Sequence, residues 1–279
     1  MESLRTVNTW QLSSRATLSL LFVILFLAIG NVRASHSMSA SSTLAPPFQG
    51  WLVLDGGDDY ALAEDHSELD VGDEPGESLT IEAWVNFQTF GNAKIATKFA
   101  YGDSAYGLYT ESMYQYPYNY RCLVGELWWQ GGGLQLYHCA TQYGGEFWVP
   151  GWHHVALVLD GTSERASLYM DGERKLGPSN VSAPLRNSAA PLKVGNTLNG
   201  VMDEVRISNV ARYTDSTYTV PTSPSACDEH TRALWHYDEF EGATIFHDVC
   251  GADNFLIGYN GAHTEGVPVH KVYLPIILK

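Results

Sequence analysis

Positive charge is scarce in this sequence. Lysine and arginine number 16 against 31 aspartates and glutamates, a formal net charge of −15. Nucleic acid and anionic lipid are recruited through basic surface, so this balance argues against unaided binding to either. Cysteine is scarce as well. Cys122, Cys139, Cys227 and Cys250 are the full set, and none forms the close CxxC pair of a zinc site. No G-x-S-x-G or H-E-x-x-H motif occurs, which removes the commonest signatures of serine hydrolases and zinc proteases. No convincing amphipathic helix appears. The one long apolar run, LSLLFVILFLAI over residues 18–29, is too short to span a hydrocarbon core at about 1.5 Å per helical residue.

What is present begins with that run. Arg5 and Arg15 precede it, and Val32-Arg33-Ala34 follows with small groups at the two positions that matter for cleavage. The pattern is that of a secretory signal peptide over residues 1–34, with an uncleaved anchor as the alternative. Removing three arginines and one glutamate takes the formal charge from −15 to −17. Export makes four cysteines read as two disulfides. Three pairings are open, and nearest neighbours, Cys122 with Cys139 and Cys227 with Cys250, are the simplest. Asn180-Val181-Ser182 is a glycosylation sequon, relevant only in a host that glycosylates secreted proteins.

Residues 35–47 read as a Ser/Ala/Pro linker. The remainder, 45% hydrophobic and 17% charged over the whole chain, is globular material with enough length for one large all-β domain or two modest ones. SLTIEAWVNF alternates strictly, so Leu79, Ile81, Ala83, Val85 and Phe87 share one face and Thr80, Glu82, Trp84 and Asn86 the other. LVGELWW and LQLYHCA flank a Gly-rich connection at residues 130–133, which sets Cys122 and Cys139 on neighbouring strands. HVALVLD and RASLYMD end on Asp171-Gly172, a turn dipeptide. Many short strands, with turns every eight to twelve residues, point to a sandwich of two sheets. In VMDEVRI, simple alternation sets Asp203 on the same face as Val201, Val205 and Ile207. A carboxyl in that position needs a hydrogen bond, an ion pair or a cation.

In their order along the chain, LVLDGGDDYA, LTIEAWVNF, GWHHVALVLDG, ASLYMDG, LKVGN and LNGVMDEVRISNVAR resemble the laminin-G-like, concanavalin A-type jellyroll domain of large exported microbial proteins. The resemblance implies an all-β, concanavalin A-like jellyroll β-sandwich of two antiparallel sheets over residues 48–213. Residues 214–265 then form a disulfide-containing extension packed on the sandwich or completing it, and 266–279 an apolar-basic tail, either a last edge strand or an export and attachment tail. Domains of this family often carry one structural calcium ion. Calcium takes six to eight oxygens, and Asp55, Asp58 and Asp59 around Gly56-Gly57, joined by Asp203, are the expected ligands. The family's WHH block gives His153 and His154 structural roles.

The same jellyroll architecture also carries β-glucanases, which need paired carboxyls flanking the cleaved bond. Asp203 and Glu204 are adjacent and point to opposite faces of a strand. Glu239 and Glu241 can share a face but sit at an expected turn. The sequence therefore reads as non-catalytic. Sugar binding needs exposed rings with polar groups beside them. YQYPYNY supplies Tyr114, Tyr116 and Tyr118, expected on a loop. Trp128 and Trp129 are adjacent, so only one of them faces the core. The expectation is a secreted or cell-surface carbohydrate-binding or adhesion module, its partner a glycan or an extracellular or envelope protein, with no membrane insertion of the mature chain. The alternative is a structural or protein-interaction domain of the cell envelope.

Overall fold

The computed structural model describes residues 49–141, 151–251 and 254–266. The expected leader, the linker, the aromatic residues among 142–150 and all of the tail beyond Gly266 lie outside the described residues.

Sixteen strands follow one another among the described residues: β1 (Trp51–Asp55), β2 (Tyr60–Ala63), β3 (Leu79–Thr89), β4 (Lys94–Ala100), β5 (Asp103–Gln115), β6 (Tyr118–Trp129), β7 (Gly132–Thr141), β8 (Trp152–Asp160), β9 (Arg165–Met170), β10 (Glu173–Asn180), β11 (Leu192–Val194), β12 (Asn199–Ser208), β13 (Thr231–Trp235), β14 (Ile245–Phe246), β15 (Leu256–Tyr259) and β16 (His263–Glu265). They form two antiparallel sheets of eight strands. The back sheet runs β10-β9-β8-β3-β12-β1-β16, with β13 paired to β12. The front sheet runs β14-β15-β2-β11-β4-β5-β6-β7. This is a jellyroll sandwich.

The alternation in β3 explains the packing. Leu79, Ile81, Ala83 and Val85 are buried in the core between the sheets, and Phe87 packs against it. Leu157 and Leu159 of β8 join them from the neighbouring back-sheet strand, and Leu108, Leu123 and Leu127 from the front sheet. Fully burying each such side chain contributes about 1.5–3 kcal/mol. The sheets approach closely at Gly125, where an added Cβ would lie 2.6 Å from Leu157 Cδ1. The turn Asp171-Gly172 has positive φ at both residues, 52° and 84°, the backbone of a two-residue hairpin between β9 and β10.

Simple alternation fails in β12. Its register against β3 shifts between Asp203 and Arg206, and Glu204 takes a positive φ of 52°. This is a β-bulge, which inserts one unpaired residue and reverses the face of all that follow. Met202 is therefore in the core with Val205 and Ile207. Asp203 lies opposite Trp84 on the outer face of the back sheet. It is buried there, beneath other chain, and not in line with the core residues of its strand.

That outer face is covered. The segment after β12 lays Ala211, Tyr213 and Tyr218 over Ala156, Val158 and Tyr169. The Tyr213 and Tyr218 rings stack with centroids 3.9 Å apart, and Tyr169 Oη donates to the carbonyls of Tyr213 and Asp215. Beneath them Glu82 accepts from Arg206 and from the Tyr213 hydroxyl, with His154 Nε2 at 3.5 Å. Burial lowers the His154 pKa, and its Nδ1 meets Tyr218 Oη. His153 Nδ1 meets Asp171 at 2.7 Å. Both histidines are engaged in holding chain segments together.

Residues beyond the covering segment add strands to both sheets. β13 extends from β12, β16 from β1 and β15 from β2. Cys227 is bonded to Cys250 within this part, and Cys122 to Cys139 between directly opposed positions of β6 and β7.

Candidate functional site

The outer face of the front sheet differs in kind from the covered back. Opposed residues in an antiparallel ladder share a face. The register therefore aligns Ile257, Leu62, Lys193, Thr97, Gly107, Glu126 and Gln135 as one row across seven strands. Lys94, Tyr109, Val124 and Tyr137 form a second row on four of those strands.

Aromatic and polar groups interlock on this face. Tyr109 Oη donates to Glu126 Oε2 at 2.7 Å, and Trp128 Nε1 donates to Oε1 at 2.7 Å. Gln135 Nε2 donates to Tyr109 Oη at 3.3 Å, and Tyr137 Oη donates to Gln135 Oε1 at 3.0 Å. Lys94 Nζ sits 3.6 Å from the centroid of the Tyr109 ring, a cation–π contact. Phe99 meets the Tyr109 ring edge-on and lies across Gly107, where an added Cβ would come within 2.4 Å of the ring. Gly107 is what lets that ring lie flat on the sheet. Burial, then the hydrogen bond to Glu126 and its charge, push the Tyr109 hydroxyl pKa up. Burial lowers that of Lys94, against the raising effect of Glu126 and Glu111. Gln135 is exposed, and Lys94, Trp128 and Tyr137 are half-buried. The result is a set of fixed rings with hydrogen-bonding groups at their edges.

The expected aromatic residues do not form one site. Tyr114 and Tyr116 are 69% and 85% exposed, with Tyr118 beside them. They stand at the tip of the β5–β6 hairpin, Tyr114 and Tyr118 on its strands and Tyr116 in the turn. Trp128 is ten residues along β6 from Tyr118, about 33 Å at the rise of an extended strand. Trp129 packs against the core. Trp128 faces outward and is the one member of that set within the interlocked face.

The aspartates divide as well. Asp55, Asp58 and Asp59 share the β1–β2 connection. Asp55 Oδ1 accepts from Gly57 N, and Asp59 Oδ2 accepts from Asp55 N. Asp59 Oδ1 is buried with no hydrogen-bond partner, and burial, followed by the neighbouring Asp55 and Asp58 charges, raises its pKa. Asp55 lies opposite Asn199, so Asp203 is four residues along the same strand, about 13 Å away. Burial and the Glu204 charge push the Asp203 pKa up to about 9. Among the described residues no group of three or more His, Cys, Asp or Glu side chains is arranged to hold a metal. Asp203 thus stands apart from the three aspartates of the β1–β2 connection.

Tyr109, Glu126, Lys94, Gln135 and Tyr137 were not singled out by residue type. Their signal lay in register. A two-residue turn at Gln130-Gly131 places Glu126 opposite Gln135 and Val124 opposite Tyr137, as it does Cys122 opposite Cys139.

Two packed antiparallel sheets in this strand order make a jellyroll sandwich. The chain belongs to the Laminin_G_3 family of the concanavalin A-like lectin/glucanases superfamily, whose model matches residues 55–217. Among solved structures, a putative carbohydrate binding protein from Bacteroides ovatus aligns at 16% identity and a TM-score of 0.54, covering 79% of this chain and 60% of that one. This chain therefore spans less than two thirds of that protein. Domains LG4-5 of the mouse laminin alpha1 chain align at 14% identity and a TM-score of 0.39, covering 65% of this chain and 48% of that one. Likeness at these identities shows the fold. No curated protein matches the chain.

Proposed function

We propose that this protein is a non-catalytic, secreted or surface-associated glycan-binding module, and that the outer face of the front sheet is its binding surface. The interlocked group of Tyr109, Glu126, Trp128, Gln135 and Tyr137 carries the reading. Sugars present apolar ring faces and a rim of hydroxyls. Half-exposed aromatic rings cover the first, and an amide, a phenol and an ammonium at fixed positions hydrogen-bond the second. The Bacteroides ovatus protein, described as a putative carbohydrate binding protein, is consistent with this reading. Two disulfides support an extracellular setting, and no helix among the described residues is long and apolar enough to cross a membrane. Calcium has no part in the proposed contact.

A broad glycan array probed with wild-type protein and with Trp128→Ala tests the reading. Saturable binding by the wild type, weakened at least tenfold in the variant, supports it. Absence of binding by folded, disulfide-bonded protein overturns it.

A second reading has its own observation. The protruding Tyr114 and Tyr116 at the hairpin tip are rings of the kind that anchor protein interfaces. They favour a protein partner in the envelope or outside the cell, contacted by the tip.

A further inference from the structure

The back sheet carries a pocket that the glycan reading leaves unused. The covering segment shields the outer face as far as Tyr213 and Thr214. Beyond these, β8, β9 and β10 leave a pocket of about 140 Å³ bordered by Asp160, Ser163, Arg165, Ser167, Tyr169 and Arg174. Two guanidinium groups border it in a protein with net charge −15.

Those two arginines stand apart from most others in the fold. Arg206, Arg212 and Arg232 each pair with a carboxyl within 4 Å, and no such ion pair occurs for Arg165 or Arg174 among the described residues. Each makes one hydrogen bond to a carbonyl, Arg165 to Pro178 at 3.5 Å and Arg174 to Thr214 at 3.2 Å, and Arg174 also interacts with the Tyr169 hydroxyl. An arginine has five N–H donors, so most of both forks stay available. The acid that borders the pocket is already engaged. Asp160 Oδ1 accepts from the backbones of Thr162 and Ser163, and Oδ2 from the Ser163 hydroxyl. These bonds, led by the hydroxyl, lower its pKa. Arg174 is held in place, because its backbone N–H donates to Ser216 O at 2.8 Å.

We infer that this pocket binds a single oxyanion group, a sulfate or a carboxylate, between Arg165 and Arg174. Planar guanidinium forks match both geometries. The volume is less than half that of an ordinary small-molecule site, so the pocket holds one anionic substituent and not a whole sugar chain. The inference is independent of the front-sheet reading, since it concerns the opposite face.

The test is titration of the full protein with sodium sulfate, with sodium D-glucuronate, and with D-glucose as the neutral control. The Nε–Hε resonances of the arginines are followed at constant ionic strength. The expected result is saturable shifts at Arg165 and Arg174 with sulfate, glucuronate or both, and none with glucose. Which anion saturates first distinguishes a sulfated from a carboxylated ligand. Arg165→Gln, at an exposed position, weakens the response at least tenfold, and Arg174→Gln does the same. Lys175→Gln, nearby but paired with Glu173, leaves it unchanged. Shifts that fail to saturate, or that persist equally in both arginine variants, overturn the inference. Loss of glycan-array binding in Trp128→Ala has no bearing on this result.

Discussion

Tyr109 and Glu126 are joined across β5 and β6 by a 2.7 Å hydrogen bond, and Trp128 donates to the second oxygen of the same carboxyl. One acidic group thus fixes the orientation of two rings on the outer face of the front sheet, the Tyr109 ring buried and the Trp128 ring half-buried. Neither ring needs a ligand to hold its position. Pre-set rings lower the ordering cost of binding.

This makes Glu126 a positioning residue with a measurable stability effect. Glu126→Ala leaves the Tyr109 hydroxyl and the Trp128 indole N–H without their acceptor. Lost acceptors for sequestered donors cost about 1–3 kcal/mol. Urea unfolding of Glu126→Ala and of Tyr109→Phe, Glu126→Ala together checks it. The double variant, with one donor removed as well, is expected to lose less than the sum of the single losses.

The β6–β7 hairpin, which carries Glu126 and Trp128 but not Tyr109, was legible in the sequence. The glycine-rich turn and the cysteines flanking it define the β6–β7 register, and the alternation of β3 gives its core-facing side residue by residue. β12 was not legible in this way. Its bulge at Glu204 depends on how β3 and the covering segment meet it, so period-two counting set Asp203 on the wrong face. The aromatic set divides for a related reason. Residue type marks Tyr116 and Trp128 alike, whereas the strand length between them shows that they stand about 33 Å apart.

Asp203 supplies a pH prediction. Burial, then the Glu204 charge, raises its pKa to about 9. A carboxyl whose folded pKa lies above its unfolded value stabilises fully below the ordinary carboxyl range, and that contribution is lost as pH rises towards 9. Asp203→Asn removes this titration. Urea unfolding from acid to mildly alkaline pH is expected to show a smaller decline in stability for the variant than for the wild type. Asp228 acts in the opposite sense. Hydrogen bonds from Arg212 hold its pKa well below the carboxylate range, so its contribution is present at neutral pH and is lost as pH falls.

Asp55 pairs with Asn199, about 13 Å along β12 from Asp203, so the four aspartates are not gathered at one point. Thermal unfolding of the protein is therefore expected to give the same Tm with excess calcium and with excess EDTA. A Tm that rises with calcium in a saturable manner, and falls back on chelation, contradicts this.

The claim that the open face of the front sheet is the binding surface is tested most directly by calorimetry on two surface variants, using a glycan that binds the wild type. Gln135 belongs to the interlocked face and Tyr116 to the distant hairpin tip, and both are exposed, so neither substitution threatens the core. Gln135→Ala is predicted to weaken binding about tenfold, the loss of a hydrogen bond of about 1.4 kcal/mol, and Tyr116→Ala to leave it unchanged. Binding that survives Gln135→Ala but is lost in Tyr116→Ala would contradict the account and move the site to the hairpin tip.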